Sequence, residues 1–262
     1  MPKQGRSSIQ YLTILKVLLG PTLLIQGRKT KQTALRLPEA EGQRHGSVSK
    51  QGCDEVLRLL LVGDSTMAGV GVTDQVTALA SQTASKVSDL LSRSVRWHLI
   101  AKSGLKAGQI LELTHQEEFL QADVLITAVG SNDVFAQTEP SRFIDAYKSL
   151  VDGILPKVGP RLAIISGLPP LHITPAVPQP LRWFFGRYAR LLDRCLREWI
   201  RPQPNISYIS LQWAADPSKL AQDRFHPGEV LYREWSYRIA EQIVHAYGVS
   251  LRVCPDHALE TG

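Results

Sequence analysis

An α/β fold, with a parallel sheet covered by helices on both faces, is what this sequence predicts. Three observations predict it. Apolar runs of strand length alternate with longer helical patterns from residue 56 onward. The runs are continuous rather than alternating, which is how a strand reads when both of its faces are buried. Glycine, serine, asparagine, aspartate and histidine gather directly after several runs, where the carboxyl ends of parallel strands build sites.

The elements follow in order. "VLRLLLVG" (56–63) reads as the first strand, and residues 74–92 as a helix with Leu79, Val87, Leu90 and Leu91 facing a core. "VRWHLIA" (95–101) is the second strand, with a short helix near 107–114 after it. "ADVLITAVG" (122–130) is the third strand, before a helix over 140–155. "RLAIISG" (161–167) is the fourth. A proline-rich loop at 169–180 leads into a helix over 181–200, then "ISYISL" (206–211) as a fifth strand and a closing helix that begins near His226. The expected organisation is an arm and linker over 1–55, one α/β domain over 56–250 and a tail over 251–262. The length of 262 residues suits one domain with a full core plus appendages.

Charge separates the arm from the domain. Residues 1–38 hold seven basic side chains and no acidic one, leaving 23 basic and 24 acidic over 39–262. The near-neutral body argues against a nucleic-acid face, and no nucleic-acid partner is expected. The basic arm flanks an apolar stretch, "YLTILKVLLGPTLLI" (11–25), and together they point to an anionic membrane surface. The stretch is short for a spanning helix and is followed by no A-x-A cleavage site. An interfacial or anchoring helix, a signal peptide and a helix packed on the domain all fit it. The expected placement is cytoplasmic and peripheral at the inner membrane, with export through an N-terminal signal as the alternative. Oligomeric state is not legible. Cys53, Cys195 and Cys254 form no CxxC pair, so free thiols are expected, with no disulfide framework and no metal.

The loops after the strands carry groups that suit acyl transfer. Serine becomes a nucleophile when a base takes its proton, and an acid commonly orients that base. Ser65 follows the first strand; Asp223 and His226 lie three residues apart before the last helix. That spacing can set the carboxylate on one ring nitrogen and leave the other for Ser65. An oxyanion needs donors. Ser65, expected to open a helix, would offer its own N–H, Gly104 a second and Asn132 a side-chain amide. The G-x-S-x-G elbow of ordinary α/β-hydrolases is absent, since Met67 stands where the second glycine would be.

Four stretches, "GDSTMAG", "SG", "GSND" and "DRFH", resemble blocks I, II, III and V of the SGNH, or GDSL, hydrolases in order and spacing over residues 63–226. The resemblance implies a three-layer flavodoxin-like α/β/α sandwich with a five-stranded parallel sheet and no cofactor. It implies Ser65 as nucleophile and oxyanion donor, Gly104 and Asn132 as the other donors, His226 as base and Asp223 as its partner. Block I reads GDST rather than GDSL, and Ser131 stands where glycine is common; neither change removes a catalytic group. The expected activity is hydrolysis of short- to medium-chain acyl esters. A thioesterase or lysophospholipase, or a carbohydrate O-deacetylase of the same family, is the alternative; a non-catalytic module on the same fold is a different class of answer. Val134, Phe135, Trp213 and Phe225 are the expected pocket lining, and residues 167–192 either wall the pocket as a lid or form a packed helix. Asp64 and Asp133 are expected to hold backbone amides.

Overall fold

The computed structural model describes residues 3–51, 55–117, 121–158 and 162–248. Among these the chain runs α1 (Lys3–Thr33), β1 (His45–Val48), β2 (Val56–Gly63), α2 (Leu79–Leu91), β3 (Ser94–Ala101), α3 (Ala107–Gln116), β4 (Val124–Ala128), α4 (Ser131–Ala136), α5 (Pro140–Val158), β5 (Leu162–Ser166), α6 (Leu181–Ile200), β6 (Ile206–Ile209) and α7 (Glu229–Gly248). Cys53, Cys254 and the expected tail lie outside the described residues; Cys195 is a free thiol.

Six strands form one sheet in the order β1-β3-β2-β4-β5-β6. The five expected strands, β2 to β6, are parallel, and β1 pairs antiparallel with β3. The sixth strand corrects the five-stranded expectation. It comes from the stretch read as linker, because "HGSV" is short and carries no apolar run; backbone pairing holds it there, His45 opposite His98 and Val48 opposite Val95.

The continuous apolar run of β2 has the expected cause. Leu57, Leu59 and Leu61 pack on one side with Leu79, Val87, Tyr232 and Ile239 of α2 and α7. Leu60 and Val62 pack on the other with Ile110, Tyr147, Leu150 and Leu192 of α3, α5 and α6. The result is a three-layer α/β/α sandwich. Its chain reverses direction across the sheet at β2, so the loops after β2, β3 and β4 diverge there and leave a crevice.

The arm is largely one helix. Leu12 and Leu23 of α1 are buried against Val177, Leu181, Phe184 and Leu191. The Gln26 side chain donates to the Gln179 C=O (2.6 Å) and accepts the Leu181 N–H (3.1 Å). The 11–25 stretch is therefore packed on the domain along one side, and no helix among the described residues is long and apolar enough to cross a membrane.

Candidate active site

Three loops that are distant in sequence meet at one end of the sheet. The first leaves β2 at Gly63. The helix expected at Ser65 is absent: residues 64–71 are a run of turns, in which the Asp64 C=O accepts the Ala68 N–H (2.9 Å) and the Ser65 C=O accepts the Val70 N–H (3.0 Å). α2 starts only at Leu79. The Tyr232 hydroxyl of α7 lies within hydrogen-bond reach of the Val70 (2.7 Å) and Thr66 (3.0 Å) carbonyls, which braces the turn from beneath.

The last loop supplies the imidazole. Asp223 Oδ1 accepts the backbone N–H groups of Phe225 and His226, both at 3.0 Å, so the carboxylate folds its own loop. Exposed Arg224 takes a left-handed φ of 58° to let the chain turn that tightly. His226 Nδ1 then lies 2.5 Å from Asp223 Oδ2, and His226 Nε2 lies 3.0 Å from Ser65 Oγ. Burial by itself would raise the Asp223 carboxyl; the His226 hydrogen bond and charge and the two N–H donors outweigh it and hold it below its ordinary value. A carboxylate that stays ionised keeps one ring nitrogen protonated and the other free to accept the serine proton.

The loop after β3 and the short helix after β4 complete the ring. Gly104 has a φ of 84°, and a side chain added there would meet nothing within 4 Å, so its backbone is open to a ligand. Asn132 Nδ2 donates to the Leu105 C=O (3.0 Å), next to Gly104. Asp133 Oδ2 accepts the Ala107 N–H (3.0 Å) and Asp64 Oδ1 the Thr66 N–H (3.3 Å), so both aspartates hold loop amides as expected.

Asp64 is also a pH-sensitive element of stability. Burial pushes its carboxyl up to about 6, against the opposing pull of the Thr66 and Gly130 N–H groups and of the His226 charge. The folded value lies above that of an unfolded aspartate near 3.9, so the folded state gives up stability as pH rises from about 4 to about 6 and loses no more above it. Asp64→Asn removes this dependence. In urea unfolding, the variant should gain on the parent by about 2 kcal/mol between pH 4 and pH 7; an offset independent of pH would contradict the assignment.

An apolar cleft opens at His226 and reaches Asp64 and Thr66, the neighbours of Ser65; it is lined among others by Pro170, Leu171, Ile173, Leu211, Trp213 and Phe225. Of the expected lining, Trp213 and Phe225 are there. Val134 is not: α4 turns it fully into the core cluster that the sheet shares with α3, α5 and α6. Phe135 stands behind Phe225, ring centroids 5.5 Å apart, and touches Phe185 at 5.0 Å. The 167–192 segment divides, with its first part walling the cleft and Phe184 packed beneath α1. Leu231 and Trp235 of α7 also line the cleft and were missed; their i, i+4 spacing marks one helix face, but no sequence signal says which. Among the described residues, no group of three or more His, Cys, Asp or Glu side chains is placed to hold a metal ion.

Residues 61–234 match the GDSL-like lipase/acylhydrolase family, a span that takes in Ser65, Gly104, Asn132, Asp223 and His226. The chain belongs to that family. No curated protein matches the sequence. Solved structures share the fold of this family member at low identity. The lipase Lip_vut3 from a goat rumen metagenome is 21% identical over 70% of this chain and 97% of that one, with a TM-score of 0.57. The esterase EstA from Pseudoalteromonas sp. is 16% identical over 72% and 98%, at 0.55. Est24, a carbohydrate acetylesterase from Sinorhizobium meliloti, is 16% identical over 72% and 99%, at 0.51. The protein is thus a hydrolase of the GDSL/SGNH esterase family with the α/β fold of its relatives.

Proposed function

We propose that this hydrolase is a serine carboxylester hydrolase that cleaves short- to medium-chain acyl esters through an acyl-enzyme. The observation that carries the reading is the unbroken line from Ser65 Oγ through His226 to Asp223. In the first half-reaction His226 Nε2 takes the Ser65 proton as Oγ attacks the ester carbonyl. The Ser65 and Gly104 N–H groups and Asn132 Nδ2 stabilise the oxyanion. His226 then returns the proton to the departing alkoxide, which leaves as the alcohol. In the second half-reaction a water is deprotonated by the same nitrogen and attacks the acyl-serine, releasing the acid and restoring Oγ–H. Asp223 keeps the imidazole in the tautomer that both halves need. No cofactor enters these steps. The apolar walls at Leu171, Ile173, Trp213 and Phe225 suit an acyl chain rather than a sugar. A series of p-nitrophenyl esters from acetate to dodecanoate tests this; kcat/KM should peak between short and medium chains, and no turnover of any of them would refute it.

A second reading, a lysophospholipase or thioesterase working at a membrane, is favoured by the outer face of α1. Ile14, Val17, Leu18, Leu24 and Ile25 are all well exposed, Val17 at 74% and Leu18 at 71%. At 100° per residue they stand opposite Leu12 and Leu23. Arg28 and Lys29 continue that face, and α1 contains no acidic residue. A bare apolar stripe ending in cations complements an anionic lipid surface. This reading carries with it a peripheral placement on the cytoplasmic side. Leu18→Gln with Ile25→Gln should cut sedimentation with phosphatidylglycerol vesicles at least ~10-fold and leave p-nitrophenyl butyrate turnover unchanged. Equal sedimentation of parent and variant, or a stripe that instead joins two copies in solution, would overturn it.

A further inference from the structure

We propose that Glu39, backed by Arg44, is a positioning residue that sets the Ser103–Gly104 loop for oxyanion stabilisation. The inference rests on the reading of Gly104 as an oxyanion donor. Both residues lie outside the 61–234 family match, in the stretch that reads as linker.

The contacts are specific. Glu39 Oε1 accepts the Ser103 N–H at 2.6 Å, one residue before Gly104. Its Oε2 pairs with Arg44 Nη2, and Arg44 Nη1 donates to the C=O of Ala101, the last residue of β3. The Arg44 C=O accepts the Leu99 N–H (2.7 Å), which ties the guanidinium's backbone to the same strand. One carboxylate and one guanidinium thus grip β3 and its loop on both sides of Lys102.

The loop needs the grip. Lys102, Ser103 and Gly104 are exposed, and no side chain packs over Gly104. Other ties are the Lys102 N–H to the Gly63 C=O (3.3 Å) and Asn132 Nδ2 to the Leu105 C=O (3.0 Å). The next residue, Ala40, reaches the Ser65 loop. The Ala40 N–H donates to the Ala68 C=O (3.2 Å), and Gln75 Nε2 bridges the Ala40 and Ala68 carbonyls at 3.2 and 3.1 Å. Glu39 and Ala40 therefore join the two loops that carry the Ser65 and Gly104 N–H groups, and fix the distance between those donors. Burial by itself would raise the Glu39 carboxyl, but the Ser103 and Arg44 hydrogen bonds outweigh it and hold it below its ordinary value. The carboxylate therefore stays charged at neutral pH. The Glu39–Arg44 pair is partly exposed, so its loss should cost little stability. What it controls is position, to which oxyanion donors are sensitive.

Steady-state kinetics on the full chain with p-nitrophenyl butyrate tests the proposal. Glu39→Ala should lower kcat by about 10- to 100-fold with KM within about twofold, and the melting temperature should stay near the parent's. Phosphonylation of Ser65 by a p-nitrophenyl phosphonate should slow by a similar factor, because that attack also builds charge on an oxygen in the same hole. Glu39→Gln keeps an acceptor for the Ser103 N–H and should restore most of kcat. A kcat within twofold of the parent in Glu39→Ala, or a loss that Glu39→Gln fails to recover, overturns the proposal while leaving the esterase reading in place. A parent protein that neither turns over esters nor takes up phosphonate at Ser65 removes the esterase reading, and this inference with it.

Discussion

Ser65→Ala should lower turnover of p-nitrophenyl esters by at least ~10⁴-fold while the melting temperature stays within a few degrees of the parent's. The change removes the one oxygen that His226 Nε2 faces at 3.0 Å. It leaves the Asp223–His226 pair, the turn held by Tyr232, and the sheet beneath untouched. His226→Ala should match it in size, and the double variant should lose little more, because hydroxyl and imidazole act as one unit. Residual activity from the oxyanion donors alone sets the floor. A Ser65→Ala protein that keeps even a few per cent of the parent's kcat would remove the serine from the mechanism, and with it the acyl-enzyme.

The second large effect belongs to a residue that touches no substrate in this scheme. Gly71 has a φ of 110°, and a Cβ there would sit 2.2 Å from the C=O oxygen of Pro227, the residue after His226. Left-handed backbone costs an L-residue about 1–2 kcal/mol. The collision adds to that cost, since the obstacle is backbone and no rotamer change relieves it. The Ser65 turn and the His226 loop touch at this point, so relief must come by parting them. Gly71→Ala should lose about 2–4 kcal/mol of stability and at least ~100-fold in kcat. Gly20→Ala and Gly27→Ala, where an added Cβ meets nothing within 4 Å, serve as controls and should leave activity at the parent's level. A Gly71→Ala protein with the parent's kcat would show that the two loops do not need this contact.

Legibility in the sequence tracked how local the cause was. α6 was readable over 181–200 because a long helix with a buried stripe repeats its pattern many times. β2 was readable because burial on both faces leaves an apolar run. The helix expected at Ser65 was not there; turns held by Tyr232, 166 residues from Thr66, took its place. Val134 misled for a related reason: standing near Asn132 in sequence, it faces the opposite way, into the core. β1 and Glu39 left no trace, since an edge strand of four residues and a single carboxylate have no period to detect.

By itself the sequence determined the α/β class, the order of the parallel strands along the chain, and which side chains are candidates for the chemistry. These follow from burial periodicity and residue type, which each segment expresses without knowledge of the others. Only the tertiary structure decided that Ser65, His226 and Asp223 stand in one hydrogen-bonded line, that Trp213 and Phe225 wall the cleft while Val134 does not, and that Glu39, Ala40 and Arg44 bond the end of β3, its loop and the Ser65 turn from outside the family's span. Those are distances between segments far apart in the chain. They are set by how the sheet twists, how the helices pack and where one backbone blocks another, so they exist only after the whole chain has folded.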